Sequence, residues 1–286
     1  MKTLLLLLAT IAIFISACNT SPKSEESSTK KHELVLKWET DSLLKVPESV
    51  LFDKDNKVLY VSNIDGTDPW AADGKGSIGK VGLDGKIIAT EWVPGLNAPK
   101  GLGMYNGKLY AADLTNLVII DIASGKIDTT VLIDGAVGLN DITIDSKGIV
   151  YISDSPGKKV FRFANGKAEL LLDNLNGPNG LLIHENELYV LDNKGLYKMK
   201  DDKTLTKITD GLDGNADGVE NVNGKDFIVS CWEGLIWYVG QDGKKELLLD
   251  TKTQNKNTAD IGFNKDSKTV YVPTFFKNTI SAYEVK

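Results

Sequence analysis

Short apolar runs alternate along this chain with turn residues, and between them there is no three-to-four-residue apolar spacing of the kind a long helix needs. One unit recurs six times between Pro47 and Thr274. It consists of a small or proline-containing turn, a polar residue, a short apolar strand, a tight turn and a second strand centred on an aromatic. The second strands align on Tyr60, Tyr110, Tyr151, Tyr189, Phe227 and Tyr271, in the runs KVLYVSN, KLYAAD, IVYISD, ELYVLD, DFIVSC and TVYVPT. Their spacings are 50, 41, 38, 38 and 44 residues. A period of about forty residues built from short strands is the mark of a propeller blade with four strands.

Each unit continues into a third strand, such as SIGKVGL, LVIIDI, KVFRFA, GLYKMK or LIWYVG. Asp84-Gly85, Ser124-Gly125, Asn165-Gly166 and Asp242-Gly243 then supply the positive φ that hairpin turns demand. The sixth unit runs out of chain after TISAYEV, and HELVLKWE at the start of the folded part is the natural outer strand to complete it. The expected fold is therefore all-β, a six-bladed β-propeller with four antiparallel strands per blade and a ring closed by the N-terminal strand.

The residues that open the first strands are irregular: Glu48, Lys100, Asn140, Asn179 and Asp217, with Ala259-Asp260 in the last unit. First strands of a propeller line the central channel side by side, so these side chains should converge on one mouth. Glu48, Asn140, Asn179 and Asp217 would bring two carboxylates and two amide oxygens, a hard-ligand set suited to calcium, magnesium, manganese or zinc. The bland alternative is that they bond strand ends and channel waters.

The front of the chain is a different object. Lys2, an apolar run from Leu4 to Ile15 and then Ser16-Ala17-Cys18 have the three regions of a secretory signal, and the run is too short to span a membrane. Ile-Ser-Ala-Cys resembles the bacterial lipobox, which implies cleavage before Cys18 and a diacylglycerol on its thiol. Residues 19–31 are polar and lack aromatics, as a tether would. The expected organisation is a signal peptide at 1–17, a lipidated cysteine and tether at 18–31, and a single propeller domain at 32–286. Such a protein would sit in the cell envelope, held to a membrane through Cys18 on the periplasmic or outer-membrane side.

Composition and the scarce reactive residues exclude several chemistries. The formal net charge is −6, with no basic stripe, so nucleic acid is not an expected partner. Cys231 is the only cysteine besides Cys18, and no histidine is placed to activate it, so it is expected to be a buried thiol. His32 falls in the tether, and His184 falls in the hairpin between first and second strands of blade four, on the face opposite Glu48 and Asp217. Serine-type triads and histidine-dyad lactonase chemistry are not expected on that placement.

Pro-Glu at 47–48 followed by SVLFDKDNKVLYVSN, Leu-Asn-Asp at 139–141, Pro-Asn-Gly at 178–180 and Ala-Asp-Gly at 216–218 resemble the signature stations of the SMP-30/gluconolactonase/LRE-like family. The resemblance implies a six-bladed propeller that binds one divalent metal through Glu48, Asn179 and Asp217, with Asn140 contacting substrate or the metal-bound water. Calcium is the first expectation among the four metals. The reaction implied is hydrolysis of a sugar lactone or related small cyclic ester, with Asp217, and secondarily Glu48, as the catalytic base.

Two positions depart from the family pattern. Where the third-blade motif carries an arginine, this chain has Gly138, and Lys100 projects toward the same mouth from blade two. Lys100 is expected to anchor substrate in its place, the alternative being a pairing with Glu48 that weakens metal binding. The insertion DGTDPWAADGKG brings Trp70 to the rim as a lid, and Trp232, Phe275 and Phe276 follow the second strands of blades five and six. Trp70 and Trp232 are expected to stack on substrate, although Trp232 and Phe275 could equally pack between blades. Asp113, Asp154, Asp192 and Asn63 recur after the second strands, so a shared structural job is expected, capping the turn into the third strand. A noncatalytic propeller of NHL or YWTD type, holding a small ligand, glycan or protein at this face, is the competing function.

Overall fold

Among the described residues, the alternating pattern folds into twenty-four strands in six four-stranded antiparallel sheets. The computed structural model describes residues 31–286, so the signal segment, Cys18 and the tether as far as residue 30 lie outside the described residues. Five sheets are meanders of consecutive strands. In the sixth, Leu34–Glu39 pairs antiparallel with Ile280–Val285, so the start of the domain completes the last blade as expected. At the four predicted hairpins Gly85, Gly125, Gly166 and Gly243 hold φ of +84°, +64°, +74° and +79°, and Asn165 joins its glycine at +52°. His32 does not belong to the tether. It stacks on Tyr238 with ring centroids 3.7 Å apart and places Nδ1 3.0 Å from Glu246 Oε2, because the closing strand brings it against blade five.

Blades are held together by apolar side chains shared between neighbours. Ile228 and Ile236 of blade five, for instance, pack with Phe263, Val270 and Val272 of blade six. The inner strands are Pro47–Asp53, Pro99–Tyr105, Leu139–Ile144, Pro178–His184, Ala216–Asn221 and Gly262–Asn264. Between blades six and one the ring closes through the Asp260 N–H, which donates to Glu48 O at 3.0 Å. Inner strands approach so closely that a Cβ at Gly101 would lie 2.4 Å from Asp141 Cα, and one at Gly180 would lie 2.4 Å from Asp217 O.

The detail that positions the site is a bulge. In the first five blades the inner strand gains one residue over its neighbour immediately after its first position, beginning at Pro47, Pro99, Leu139, Pro178 and Ala216. An extra residue re-aims the side chains around it, and the residues caught there are Glu48, Lys100, Asn140, Asn179 and Asp217. Blade six lacks an equivalent: Asp260 faces the channel and accepts from Ser49 Oγ at 2.5 Å, leaving Ala259 at the mouth position.

Below the mouth, the channel holds about 220 Å³ and is lined by the first five inner strands and by Asp260 and Ile261 just ahead of the sixth, its carboxyl groups being Asp141, Glu220 and Asp260. Burial pushes the Glu220 carboxyl up from its ordinary 4.5 to about 8, with Lys265 and the Phe263 N–H pulling it back. The folded protein then keeps this proton to about pH 8, whereas the unfolded chain releases it near 4.5. The unfolded state therefore binds fewer protons in between, and this group's contribution to stability falls as pH rises from about 4.5 to 8. Glu220→Gln should remove that loss. Urea unfolding is expected to show little difference from wild type at pH 5 and a stabilised variant, by about 1 kcal/mol or more, at pH 8.

Candidate functional site

The loops entering the inner strands are fixed by carboxylates at the ends of the second strands. Asp113 accepts from the N–H groups of Asn97 and Ala98, at 3.0 and 2.8 Å. Asp154 accepts from Val137, Gly138 and Gly157 at 2.8, 2.9 and 2.8 Å, and Asp192 from Asn176 at 2.8 Å. Asn63 does the same for Lys45 N at 3.3 Å, and Glu233 takes over in blade five, where Cys231 ends the strand, by accepting from Asn215 N at 2.7 Å. The shared structural job is real, but it differs from the expectation. These groups tie the loop before the first strand, and only Asp154 also caps the turn into the third, because Gly157 N lies within its reach.

On that frame a cavity of about 610 Å³ opens at the mouth, lined by Glu48, Lys100, Asn140, Asn179 and Asp217 with Trp70, Trp232, Phe275 and Phe276 above them. Every residue singled out from the sequence as metal- or substrate-binding is present. Thr67, Pro69 and Asn215 also line it. Asn215 directly precedes Ala216-Asp217 and was legible as part of that station, whereas Thr67 and Pro69 belong to the insertion that carries Trp70. His184 is elsewhere, with Nε2 3.0 Å from Gly224 O.

The polar floor is sparsely satisfied. Asn179 Nδ2 donates to Asp217 Oδ1 at 2.9 Å, which fixes that carboxylate. Asn140 Nδ2 donates to Ser155 Oγ at 2.9 Å. Glu48 Oε2 and Asn179 Oδ1, by contrast, are buried oxygens with no hydrogen-bond partner. Leaving such an acceptor unmade costs about 1–3 kcal/mol, and either oxygen can accept from a hydrogen-bond donor or a cation. Burial pushes the Glu48 carboxyl up to about 8, with Lys100 opposing and Asp260 adding to the shift. Asp217 is held well above the usual carboxylate range by burial and by the Glu48 charge, with Asn179 and Lys100 opposing. Lys100 is only 3 % exposed, and burial lowers its pKa against the pull of Glu48 and Asp217.

The Lys100 ammonium sits 4.5 Å from the Trp70 ring centroid, a cation–π contact that closes one side of the cavity. Gly138 lies beneath the same indole: a Cβ there would be 2.6 Å from Trp70 Cζ3. The site therefore has no room for a long side chain at this position while Trp70 covers it. Opposite, Trp232, Phe275 and Phe276 meet edge to face, with Phe275 and Phe276 centroids 4.7 Å apart at 89°. Trp232 and Phe275 serve both readings, since Phe275 also packs with Ile64, Ala98 and Ala259.

No family model matches this sequence, and no curated protein matches it. Solved structures do match. A protein provisionally named a gluconolactonase superposes with a TM-score of 0.66 over 90% of this chain and 93% of its own, at 16% identity. Streptogramin B lyase gives 0.62 over 89% and 97%, at 15% identity. A catalytically inactive virginiamycin B lyase from Staphylococcus aureus, solved with quinupristin, gives 0.61 over 89% and 99%, at 14% identity. At such identities the likeness establishes the fold alone. The chain shares a six-bladed propeller with these proteins.

Two outcomes follow from this geometry. Asp154→Ala should strip three N–H groups of their acceptor and cost about 2–4 kcal/mol in chemical unfolding, because buried donors would be left unpaired. Cys231 is fully buried and burial pushes its thiol up to about 12. A disulfide-exchange reagent at pH 8 is expected to leave it unmodified in the native protein and to label it on unfolding, as absorbance of the released thiol will report.

Proposed function

We propose that this protein hydrolyses a sugar lactone or a related small cyclic ester at the mouth of its propeller, using one divalent metal ion held by Glu48, Asn179 and Asp217. The observation that carries this reading is the pair of buried, partnerless oxygens, Glu48 Oε2 and Asn179 Oδ1, in the same cavity as the Asp217 carboxylate. Among the described residues no cluster of three or more His, Cys, Asp or Glu side chains offers a metal site. Two carboxylates and an amide oxygen nevertheless fit an ion that takes hard oxygen ligands and completes its shell with water, calcium first, with magnesium, manganese or zinc as alternatives. Such an ion supplies electrophilic polarisation of the ester carbonyl and acidification of water.

The chain's own groups do the rest. Asp217, oriented by the Asn179 amide, accepts the proton of the attacking water and returns it to the departing ring oxygen. Glu48, the second carboxylate within the cavity, is the secondary candidate for that role. Asn140, with its Nδ2 held on Ser155, faces substrate, and the Lys100 ammonium anchors a substrate oxygen. Trp70 and Trp232 flank the ring and keep bulk water away. Secretion and a lipid at Cys18 belong to the same proposal and rest on the Leu4–Ile15 run and Ile-Ser-Ala-Cys.

Elemental mass spectrometry on residues 32–286 tests the site directly. Near-stoichiometric divalent metal is expected in wild type and none in Asp217→Asn or Glu48→Gln, with lactone hydrolysis down about 100-fold or more in both. Absence of metal from every protein, even after incubation with calcium, manganese and zinc, would leave Lys100 as the cation of the cavity and turn the site into a binding pocket. Expressed at full length in a bacterial host, the protein should fractionate with membranes, and Cys18→Ser should release it.

A further inference from the structure

The cavity divides its chemistry unevenly between floor and wall. On the floor, the three amides that face it each already donate to a protein acceptor: Asn140 to Ser155 Oγ at 2.9 Å, Asn179 to Asp217 Oδ1 at 2.9 Å, and Asn215 to Glu233 Oε1 at 2.6 Å. Lys100 faces the Trp70 ring and keeps its N–H donors for the one substrate oxygen it anchors. The two unpartnered oxygens, Glu48 Oε2 and Asn179 Oδ1, sit beside the carboxylate of Asp217 and are suited to a cation rather than to a ring of hydroxyls. Above the floor the wall is mostly apolar, with Pro69, Trp70, Trp232, Phe275 and Phe276 beside the single hydroxyl of Thr67.

Three features show that this wall is built rather than incidental. Phe275 holds φ at +49°, a left-handed conformation that a bulky aromatic seldom adopts, and the strain sets two consecutive aromatic rings perpendicular to one another at the mouth. Phe276 is nevertheless 49 % exposed, as is Trp70 at 38 %, so the rings present apolar surface to the opening instead of burying it. Val137, the residue before the Gly138 that Trp70 covers, is itself exposed.

A polyhydroxylated ring enclosed here would bring several hydroxyls against a wall whose one hydroxyl is that of Thr67, and buried hydroxyls without partners are costly. An apolar substituent has the opposite balance, since it displaces water from the aromatic rings and loses nothing. Resting on the hydrolase reading of the same floor, we infer that the substrate is an amphipathic lactone or small ester, whose acyl carbonyl lies over Glu48, Asn179 and Asp217 and whose alkyl or aryl substituent lies against Trp232, Phe275 and Phe276. The ring's acyl carbon–oxygen bond breaks and a bond from that carbon to water oxygen forms. One water proton passes through Asp217 to the ring oxygen, and the product is a hydroxy acid with no change in oxidation state.

Three δ-lactones of equal ring size test it on residues 32–286 in the presence of calcium: δ-valerolactone with no substituent, δ-decalactone with a five-carbon tail, and glucono-δ-lactone with its hydroxyls. The expected result is kcat/KM for δ-decalactone at least about 10-fold above the other two, the scale on which apolar pockets discriminate. Phe276→Ala, at a half-exposed position outside the core, should cut the decalactone-to-valerolactone ratio of kcat/KM about threefold or more. Preference for glucono-δ-lactone, or a ratio unmoved by Phe276→Ala, overturns the inference and leaves the hydrolase reading standing. If none of the three is turned over, tryptophan fluorescence separates the two ideas. Saturable quenching by δ-decalactone but not by glucono-δ-lactone supports apolar recognition and sinks hydrolysis, and no quenching by either overturns both.

Discussion

The site depends on one backbone irregularity repeated around the ring. A β-strand alternates its side chains strictly between two faces, so a regular inner strand would present its residues to the neighbouring blades and would leave the mouth to chance. One additional residue at the start of each inner strand in blades one to five breaks that alternation at the place where the channel opens. The bulge survives because the loop ahead of it is clamped: Asp113, Asp154 and Asp192 each hold the N–H groups of residues just upstream. Scaffold and site are thus separated by only two or three residues of chain, and the scaffold can vary its mouth residues blade by blade without touching the sheets.

The ring also concentrates carboxyl groups where water is scarce. Glu48 and Asp217 at the mouth and Asp141 and Asp260 just below them are all nearly inaccessible, and the Glu48 and Asp217 charges are among the influences that raise Asp141. Asp141 takes up part of the load by accepting from the Leu181 and Ile142 N–H groups, both at 2.6 Å, and Asp260 by accepting from Ser49. At the mouth the compensation is incomplete, with Lys100 as the nearby cation and two oxygens left bare. Two buried oxygens without a hydrogen-bond partner distinguish the mouth from the satisfied carboxylates beneath.

The aromatic rim changes what the mouth can accept. Trp70 closes over both Gly138 and Lys100, and the strained Phe275 sets a second wall across from it. The pocket therefore has ionisable groups below and aromatic surface above, two environments of opposite character within one cavity.

The six-blade fold was fully legible in the sequence, down to the use of HELVLKWE as the last blade's outer strand, because a period-two pattern repeated at a fixed interval leaves few other ways to bury its apolar faces. So were the mouth residues from Glu48 to Asp217, since their equivalence follows from the repeat itself. The repeat also drew Asp260 into that set, and only the structure removed it, because its place in the channel depends on a contact with Ser49 across the ring closure. The clamping role of Asp113 and Asp154 was misjudged for a similar reason: their partners lie sixteen or so residues upstream, where sequence adjacency points the wrong way. His32 was read as tether and is packed on Tyr238, an outcome decided by where the closing strand happens to land. Sequence alone determined the fold and the chemistry available at the mouth, through periodicity and residue type. Which oxygens stay unpartnered, which ring covers which cation and how the rim divides polar from apolar were decided by tertiary packing, because each depends on distances between blades that no local pattern encodes.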